Sequence, residues 1–301
     1  MGKRRSLQQQ LNYVISDNCR IGHSKRAENG ANTGYVYSVQ YAENLRDTAR
    51  NLSNYLRSEW PDVKWVKDIK SEHIQAWLDK RSPNWSNSTL INHVSRLKII
   101  EKQILKTYKI DIDWKFKVLV KENFPKIRDV AMTREDYNNL QKKLDQGNST
   151  AKIATSITAR TGLRVKEIAR LKVDNINLNN MVIEVRDGAK NGKYRDVPIR
   201  QSDKKFFSEL KNSLIGQVYV CDGAKEDSIN TGIRRTLKSL GLDSKYKSTS
   251  NHAIRKMYAR ETYEQLIEQG YSDKKAWCQV QKNLGHSDKY RQSLFDTYIK
   301  N

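Results

Sequence analysis

The chain has 301 residues and a formal net charge of +22, from 56 basic and 34 acidic side chains. Its three cysteines, Cys19, Cys221 and Cys278, lie far apart, which argues against a disulfide framework or a paired-cysteine zinc site. The opening residues lack the apolar segment of a signal peptide, and no apolar run reaches membrane-spanning length. These features predict a soluble intracellular protein with a polyanionic partner.

The positive charge is divided almost evenly along the chain. Residues 1–130 carry 24 basic and 14 acidic side chains, and residues 131–301 carry 32 basic and 20 acidic side chains. Many basic proteins are merely well solvated. An excess on both halves nevertheless favours two regions that contact the same polyanion.

Chain order then suggests an arm followed by a helical domain. Residues 1–34 are polar and basic with little periodicity, and they are predicted to form a flexible N-terminal arm or a weakly structured lead-in. Apolar side chains recur at helical spacing in three successive stretches, over 42–56, 74–78 and 90–104. These stretches predict a small all-helical domain over 35–120.

A second domain is predicted beyond a short linker. The stretch KVLVKENFPKIRD contains Pro125 and no helical stripe, so 121–130 is interpreted as the linker. Thr133, with Asp136 three residues later, resembles a helix-capping signal and opens a domain over 131–301. That domain carries further helical patterns and one β-hairpin, around the turn GAKNGK. The predicted fold class is mainly α with a small β-sheet or hairpin, in two domains.

Three separated stretches of the second domain suggest chemistry. They are ARTGLRVKEIARL, NHAIRKMYAR and the closing LGHS, and the hairpin turn with Lys190 lies between the first two. Each is weak alone, because a helical arginine is usually solvated and a lone His-x-x-Arg or Gly-His is common. Their joint occurrence, in this order and in a basic chain, is much more specific.

Together these stretches resemble the motif boxes of the tyrosine recombinases, the phage integrase family. TGLRVKEIARL is similar to the first arginine box, GAKNGKYRDVPI to the lysine hairpin, HAIR to the His-x-x-Arg box and LGHS to the second-histidine box. The resemblance covers about residues 130–301. The helical domain upstream resembles, more loosely, the family's core-DNA-binding domain.

The resemblance implies attack of a tyrosine on a DNA phosphodiester, with neither a metal ion nor ATP as cofactor. Cationic side chains would then stabilise the extra negative charge of the transition state. The implied roles are a phosphate clamp for Arg164 and Arg255, orientation of the site for Glu167, protonation of the leaving 5′-oxygen for Lys190, proton transfer at the nucleophile for His252, a hydrogen bond to phosphate for His286, and attack for Tyr298.

Three of these assignments have competitors in the sequence. Glu167 could have the structural role of pairing with Arg164, Lys166 or Arg170 on its own helix, which is compatible with the implied one. In the family the nucleophile usually stands at the spacing from the Gly-His box that Phe295 has here, and a phenylalanine cannot attack. Tyr298 lies three residues further on, in FDTYI, which resembles the family's Thr-x-x-Tyr ending, whereas Tyr290 lies too near His286. Either the connection is longer in this chain or the nucleophile has been lost. Lys193 is the alternative to Lys190, since both lie in the hairpin turn.

Two further arginines follow the hairpin turn. Arg195 and Arg200 are interpreted as phosphate contacts or solvated strand ends.

The function implied is that of a site-specific DNA recombinase, an integrase that moves a mobile element through a covalent 3′-phosphotyrosine link. Its implied partners are a double-stranded recombination site and three further copies of the chain in a tetramer on DNA. Whether DNA-bending accessory proteins take part is left open. The implied location is the cytoplasm, with the nucleoid, and no membrane. The alternatives are a non-catalytic DNA-binding relative and a type IB topoisomerase-like or hairpin-resolving enzyme.

Overall fold

The computed structural model describes residues 5–25, 27–30, 33–121, 130–147, 149–188, 194–246, 250–287 and 289–300. The chain divides into two compact units, Met1–Pro125 and Lys126–Asn301. Most of the predicted linker, 122–129, lies outside the described residues.

The first unit is helical, and side-chain caps set the starts of its longest helices. Ser38 and Ser86 each accept a hydrogen bond from a backbone N–H in the first turn of the helix that follows. The last long helix ends where Lys109 adopts a left-handed conformation, φ 58°. The helices are α1 (Leu7–Asp17), α2 (Val39–Glu59), α3 (Ser71–Arg81) and α4 (Asn87–Tyr108).

The prediction of a flexible arm over 1–34 is wrong for α1. Ser6 and Gln9 form a reciprocal capping box at its start, with side chains bonded to each other's backbone N–H. One face of α1, which includes Leu11 and Ile15, is buried in the core with α2 and α4. Burial of this apolar face holds the segment as a helix of the first unit.

The core of the first unit also fixes an extended segment after α4. Trp114 is buried, and its indole N–H donates to the Ile69 carbonyl at 2.9 Å. Its backbone N–H donates to the buried carboxylate of Glu101 at 2.6 Å. Three further backbone N–H groups of the segment donate to helix side chains: Lys115 to Ser71, Lys117 to Gln75, and Lys121 to Asn87. Side chains of α3 and α4 thus replace a neighbouring strand.

The second unit is mixed, with helices around one small sheet, and the predicted fold class is confirmed. Thr133 caps α5 by accepting from the Asp136 N–H, as the sequence predicts. The elements are α5 (Arg134–Asp145), α6 (Thr150–Thr161), α7 (Val165–Ala169), β1 (Ile176–Asn177), β2 (Val182–Val185), β3 (Arg195–Pro198), α8 (Lys204–Ser213), α9 (Glu226–Ser239), α10 (Ser250–Glu268), α11 (Asp273–Asn283) and α12 (Gln292–Phe295), with a π-helical turn at Asp296–Lys300.

The sheet is antiparallel, in the order β1-β2-β3. The predicted hairpin is the β2–β3 pair, in which Ile183 lies opposite Val197 and both are buried. Strand β1 is an addition to the prediction, since its two residues are too few to produce a recognisable alternation.

Helix α10 is the central element of the second unit. It packs against α6, α9 and α11, and most of its first three turns is buried. A helix surrounded in this way can place polar side chains inside the unit, and His252 and Arg255 lie on it one turn apart. Among the described residues, no helix is both long enough and apolar enough to span a bilayer.

The role of α1 in the first core can be tested with one matched pair of isoleucines. Ile15 is fully buried and Ile21 is 45% exposed. We expect Ile15→Ala to lower the free energy of unfolding by about 2–5 kcal/mol, because it leaves a cavity in the core. We expect Ile21→Ala to change it by less than about 0.5 kcal/mol. Urea titration followed by tryptophan fluorescence measures both. Equal stabilities for the two variants would contradict the packing of α1.

Candidate active site

The first arginine of the site stands at a sharp turn between two helices. Helix α6 ends at Gly162, whose φ of 64° is left-handed, and the chain re-enters a helix at α7. Arg164 is the N-cap residue of α7, so it lies before the helix and not on it as the sequence suggested. A Cβ at Gly162 would lie 2.4 Å from the ring of Tyr258 on α10, so the turn needs glycine for space as well as for backbone angle.

The carboxylate of Glu167 is fully buried and accepts four hydrogen bonds. Oε2 accepts from the backbone N–H of Arg164 at 2.9 Å, and Oε1 accepts from Nη1 of Arg164 at 3.0 Å. Each oxygen also accepts from one terminal nitrogen of Arg195 at 2.9 Å. Burial by itself raises the pKa of Glu167, but the hydrogen bonds and charges of Arg195 and Arg164 outweigh it and hold that pKa below its usual range.

The interpretation of Arg195 as a phosphate contact or solvated strand end is wrong. Its side chain is 10% exposed and forms a bidentate pair with Glu167. Its Nε also donates to the Asn283 carbonyl at the end of α11, at 3.0 Å. The sequence did contain a signal: Arg195 shares a strand face with the buried Val197. Arg200 is also tied to protein, donating to Thr262 at 2.7 Å.

Arg255 is as deeply buried as Glu167, each residue being 1% exposed. Nη1 donates to the Gly162 carbonyl, and Nη2 donates to the Leu284 carbonyl at 2.6 Å. Both acceptors lie at the ends of helices, where backbone carbonyls lack partners inside the helix and favour cations. Burial is the main cause that lowers the pKa of Arg164, and the positive charge of Arg255 lowers it further. The two guanidiniums are therefore close enough to repel each other.

Tyr298 brings its phenol to this arginine. Its oxygen accepts from Nε of Arg255 at 3.3 Å, and the residue is 3% exposed. The ring lies edge-on to the rings of His252 and His286, with centroids 5.6 and 5.9 Å away. The structure therefore gathers Arg164, Glu167, His252, Arg255, His286 and Tyr298 in one place.

Aromatic packing holds the segment that carries Tyr298. Phe295 contacts Trp277 and Tyr263 edge-on, with centroids 5.6 Å away in both cases, and it stacks on Tyr290. Phe295 is thus a packing residue, and the next turn, which is π-helical, turns Tyr298 inward. Arg260 supports that turn by donating to the Tyr298 carbonyl at 3.2 Å.

The predicted general acid, Lys190, and its alternative, Lys193, lie outside the described residues. Within the described ranges, no cluster of three or more His, Cys, Asp or Glu side chains is arranged to hold a metal ion.

Sequence comparisons place these residues among known proteins. A sequence model described as the phage integrase family matches residues 131–295. The chain is 25% identical over 234 residues to tyrosine recombinase XerA of Saccharolobus solfataricus, an alignment that covers 74% of this chain and 72% of that one. It is 32% identical over 90 residues to tyrosine recombinase XerA of Pyrococcus furiosus, covering 30% of each chain.

Solved structures with the same fold include proteins bound to DNA. A lambda integrase tetramer on a Holliday junction has a TM-score of 0.66 at 17% identity, covering 97% of this chain and 78% of that one. XerH recombinase bound to palindromic difH has a TM-score of 0.62 at 14% identity, covering 96% of this chain and 92% of that one. The Tn1549 transposon integrase in complex with transposon right-end DNA has a TM-score of 0.63 at 15% identity, covering 96% of this chain and 94% of that one. At these identities the likeness establishes the fold.

The buried carboxylate gives a pH-dependent stability that can be measured. Because the pKa of Glu167 is lower in the folded state than its ordinary 4.5, its stabilisation is full above about pH 4.5 and is lost as the pH falls through the folded value. We expect Glu167→Gln to lower the free energy of unfolding at pH 7 by about 3–5 kcal/mol, since it leaves Arg195 buried without its counter-charge.

The deficit of Glu167→Gln relative to the wild type should shrink on acidification from pH 5 to pH 3. Urea titrations of both proteins at a series of pH values measure it. Glu264→Gln, at an exposed position of α10, is the matched control and should behave as the wild type. A deficit that stays constant over this range would mean that the carboxylate of Glu167 does not stabilise the fold as an anion.

Proposed function

Because the chain belongs to the phage integrase family of tyrosine recombinases, we propose that it is a site-specific DNA recombinase that works through a covalent 3′-phosphotyrosine link. The observation that carries this proposal is the position of Tyr298, whose phenol oxygen lies 3.3 Å from Nε of Arg255 and whose ring lies edge-on to the rings of both His252 and His286. A nucleophile beside a cationic clamp is the arrangement that phosphoryl transfer requires.

In the proposed cleavage, the Tyr298 oxygen forms a bond to phosphorus while the bond from phosphorus to the 5′-oxygen breaks. A phenol is protonated at neutral pH, so its proton must leave, and His252 is the acceptor whose ring lies beside it. The 5′-oxygen takes up a proton, which the resemblance to the family assigns to Lys190. The reverse reaction with a 5′-hydroxyl of another duplex joins the strands.

Charge on the transferred phosphate would be stabilised by arginine. Three of the five N–H groups of Arg255 donate to described residues, and the other two have no hydrogen-bond partner in the part of the chain that the structure describes. These two are the proposed donors to non-bridging oxygens. Nη1 of Arg164 donates to Glu167, and the Arg164 side chain is 24% exposed, so its guanidinium can contact a ligand. His286 would add a further donor. One such preorganised donor is worth roughly 3–4 kcal/mol of barrier.

The proposed partner is double-stranded DNA, held by both units, and the proposed assembly is a tetramer. The net charge of +22 supports a polyanionic partner. The similar folds described above include a lambda integrase tetramer on a Holliday junction and a transposon integrase on transposon DNA. They support the proposal that this chain moves a mobile element, with the helical first unit as a core-DNA-binding domain.

A non-catalytic DNA-binding relative is the competing function, and the packing of the last segment argues against it. Phe295 fills the slot that the nucleophile usually has in the family, but it lies among Trp277, Tyr263 and Tyr290. The longer connection is taken up by α12 and the π-helical turn, and Tyr298 reaches Arg255. This packing supports the proposal that the nucleophile is displaced along the sequence and not lost.

Covalent trapping tests the proposed function. The full-length protein is incubated with a pool of nicked duplexes of random sequence, in which the nick lets the cleaved fragment diffuse away. We expect an SDS-resistant adduct whose peptide, by mass spectrometry, carries the nucleotide on Tyr298. Tyr298→Phe should form none, whereas Tyr290→Phe, the matched control, should form it as the wild type does. An adduct on Tyr290 would refute the assignment, and DNA binding without any adduct would favour the non-catalytic relative.

Removal of Arg164 should separate chemistry from binding. We expect Arg164→Ala to lower the single-turnover cleavage rate of the captured duplexes by about 10²–10³-fold, because it deletes one side of the transition-state clamp. DNA affinity should stay close to that of the wild type, since many other basic groups hold the backbone. Arg170→Ala, an exposed arginine in the same stretch, is the control. Equal losses of binding and cleavage in Arg164→Ala would mark this arginine as a binding residue.

A further inference from the structure

Arg195 connects two parts of the site and has no chemical step of its own. Through Nη1 and Nη2 it holds the Glu167 carboxylate on α7, and through Nε it holds the Asn283 carbonyl at the end of α11. The side chain is almost buried. One planar group thus links the helix beside Arg164 to the turn that carries His286.

On the α7 side, Arg195 and Arg164 share one carboxylate. Each oxygen of Glu167 accepts one hydrogen bond from Arg195 and one from Arg164. Of the two hydrogen bonds from Arg164, one comes from its guanidinium and the other from its backbone N–H. An unshared carboxylate prefers a two-fold contact with a guanidinium. Without Arg195, Glu167 would therefore be open to a bidentate pair with Arg164, which would turn that fork away from a phosphate.

On the α11 side, Arg195 meets the backbone just before His286. The carbonyls of Asn283 and Leu284 are adjacent helix-end acceptors, and they take Arg195 and Arg255 respectively. Gly285 follows with φ 69°, and a Cβ there would lie 2.7 Å from the Arg195 guanidinium. The turn is thus built against Arg195, and the backbone N–H of His286 closes it on the Gln281 carbonyl at 2.9 Å.

From these contacts we infer that Arg195 is a positioning residue for strand cleavage. It holds Glu167 so that Arg164 keeps donors for the phosphate, and it fixes the turn of His286 in register with them. The inference rests on the proposed function, because the step that it supports is the attack of Tyr298.

The test uses full-length protein and the nicked duplexes that the wild type captures covalently. Arg195→Met should lower single-turnover cleavage at saturating DNA by about 100-fold, with DNA affinity unchanged within about threefold. Arg195→Lys keeps the charge but cannot hold both oxygens of Glu167, so it should still lose at least about tenfold. Arg234→Met, which removes an exposed arginine of α9 whose side chain donates to Thr231, is the matched control and should cleave as the wild type does.

A double variant distinguishes positioning from a merely structural role. If Glu167 captures Arg164 once Arg195 is gone, then removal of its charge should release Arg164. Arg195→Met combined with Glu167→Gln should therefore cleave at least about tenfold faster than Arg195→Met alone. Rates are compared at a temperature at which circular dichroism shows each protein folded. If Arg195→Met does not fold, Arg195→Lys, alone and with Glu167→Gln, supplies the same comparison.

The outcomes separate the two proposals. No adduct with the wild type would overturn the proposed function and this inference with it. An adduct with the wild type, together with Arg195→Met cleaving within about threefold of it, would overturn the inference alone. A double variant no faster than the single one would also overturn it, because Arg195 would then serve only the stability of the fold.

Discussion

A buried carboxylate with four donors organises the centre of the second unit. Glu167 is withdrawn from solvent, and a charge in that position is costly unless its neighbours supply full compensation. Two arginines and one backbone N–H do so here. Because those arginines come from the α7 turn and from β3, the carboxylate fixes how the sheet meets the helices around the site.

The same group of charges carries a positive excess. Among the described residues, Arg164 and Arg195 pair with Glu167, whereas Arg255 pairs with no carboxylate. Part of the remaining positive charge is compensated by the carbonyl ends of α6 and α11. Backbone dipoles stabilise cations without neutralising them. The site is therefore attractive to an anion before that anion arrives, and little reorganisation is required when charge develops on it.

The sequence predicted most helices and the identity of the gathered side chains, because both depend on local patterns. Apolar spacing predicted α2, α3 and α4, and the motif boxes predicted that Arg164, Arg255 and Tyr298 belong to one site. The roles of these residues stay predictions. Helix α1 was missed although Ser6 and Gln9 carry a capping signal, because its short apolar stripe is interrupted by glutamines and its burial depends on α2 and α4.

Pairing between distant charges could not be predicted in the same way. Arg195 and Glu167 are 28 positions apart, and the sequence contains dozens of other basic and acidic side chains with which each could have paired. Only the folded chain selects the partner, because only there does one pair lose its solvent. The left-handed glycines at 162 and 285 are likewise ordinary helix ends in the sequence, and their close contacts appear only in three dimensions.

Those two glycines have an evolutionary consequence. Neither carries a functional group, yet a methyl group at position 162 would collide with Tyr258 and one at position 285 would collide with Arg195. A relative could therefore retain all the arginines, histidines and the tyrosine and still be silenced by a single small missense change. A comparison of sequences that looks only for an intact set of reactive side chains would count such a relative as an active recombinase. Positions 162 and 285 should therefore be checked for glycine as well.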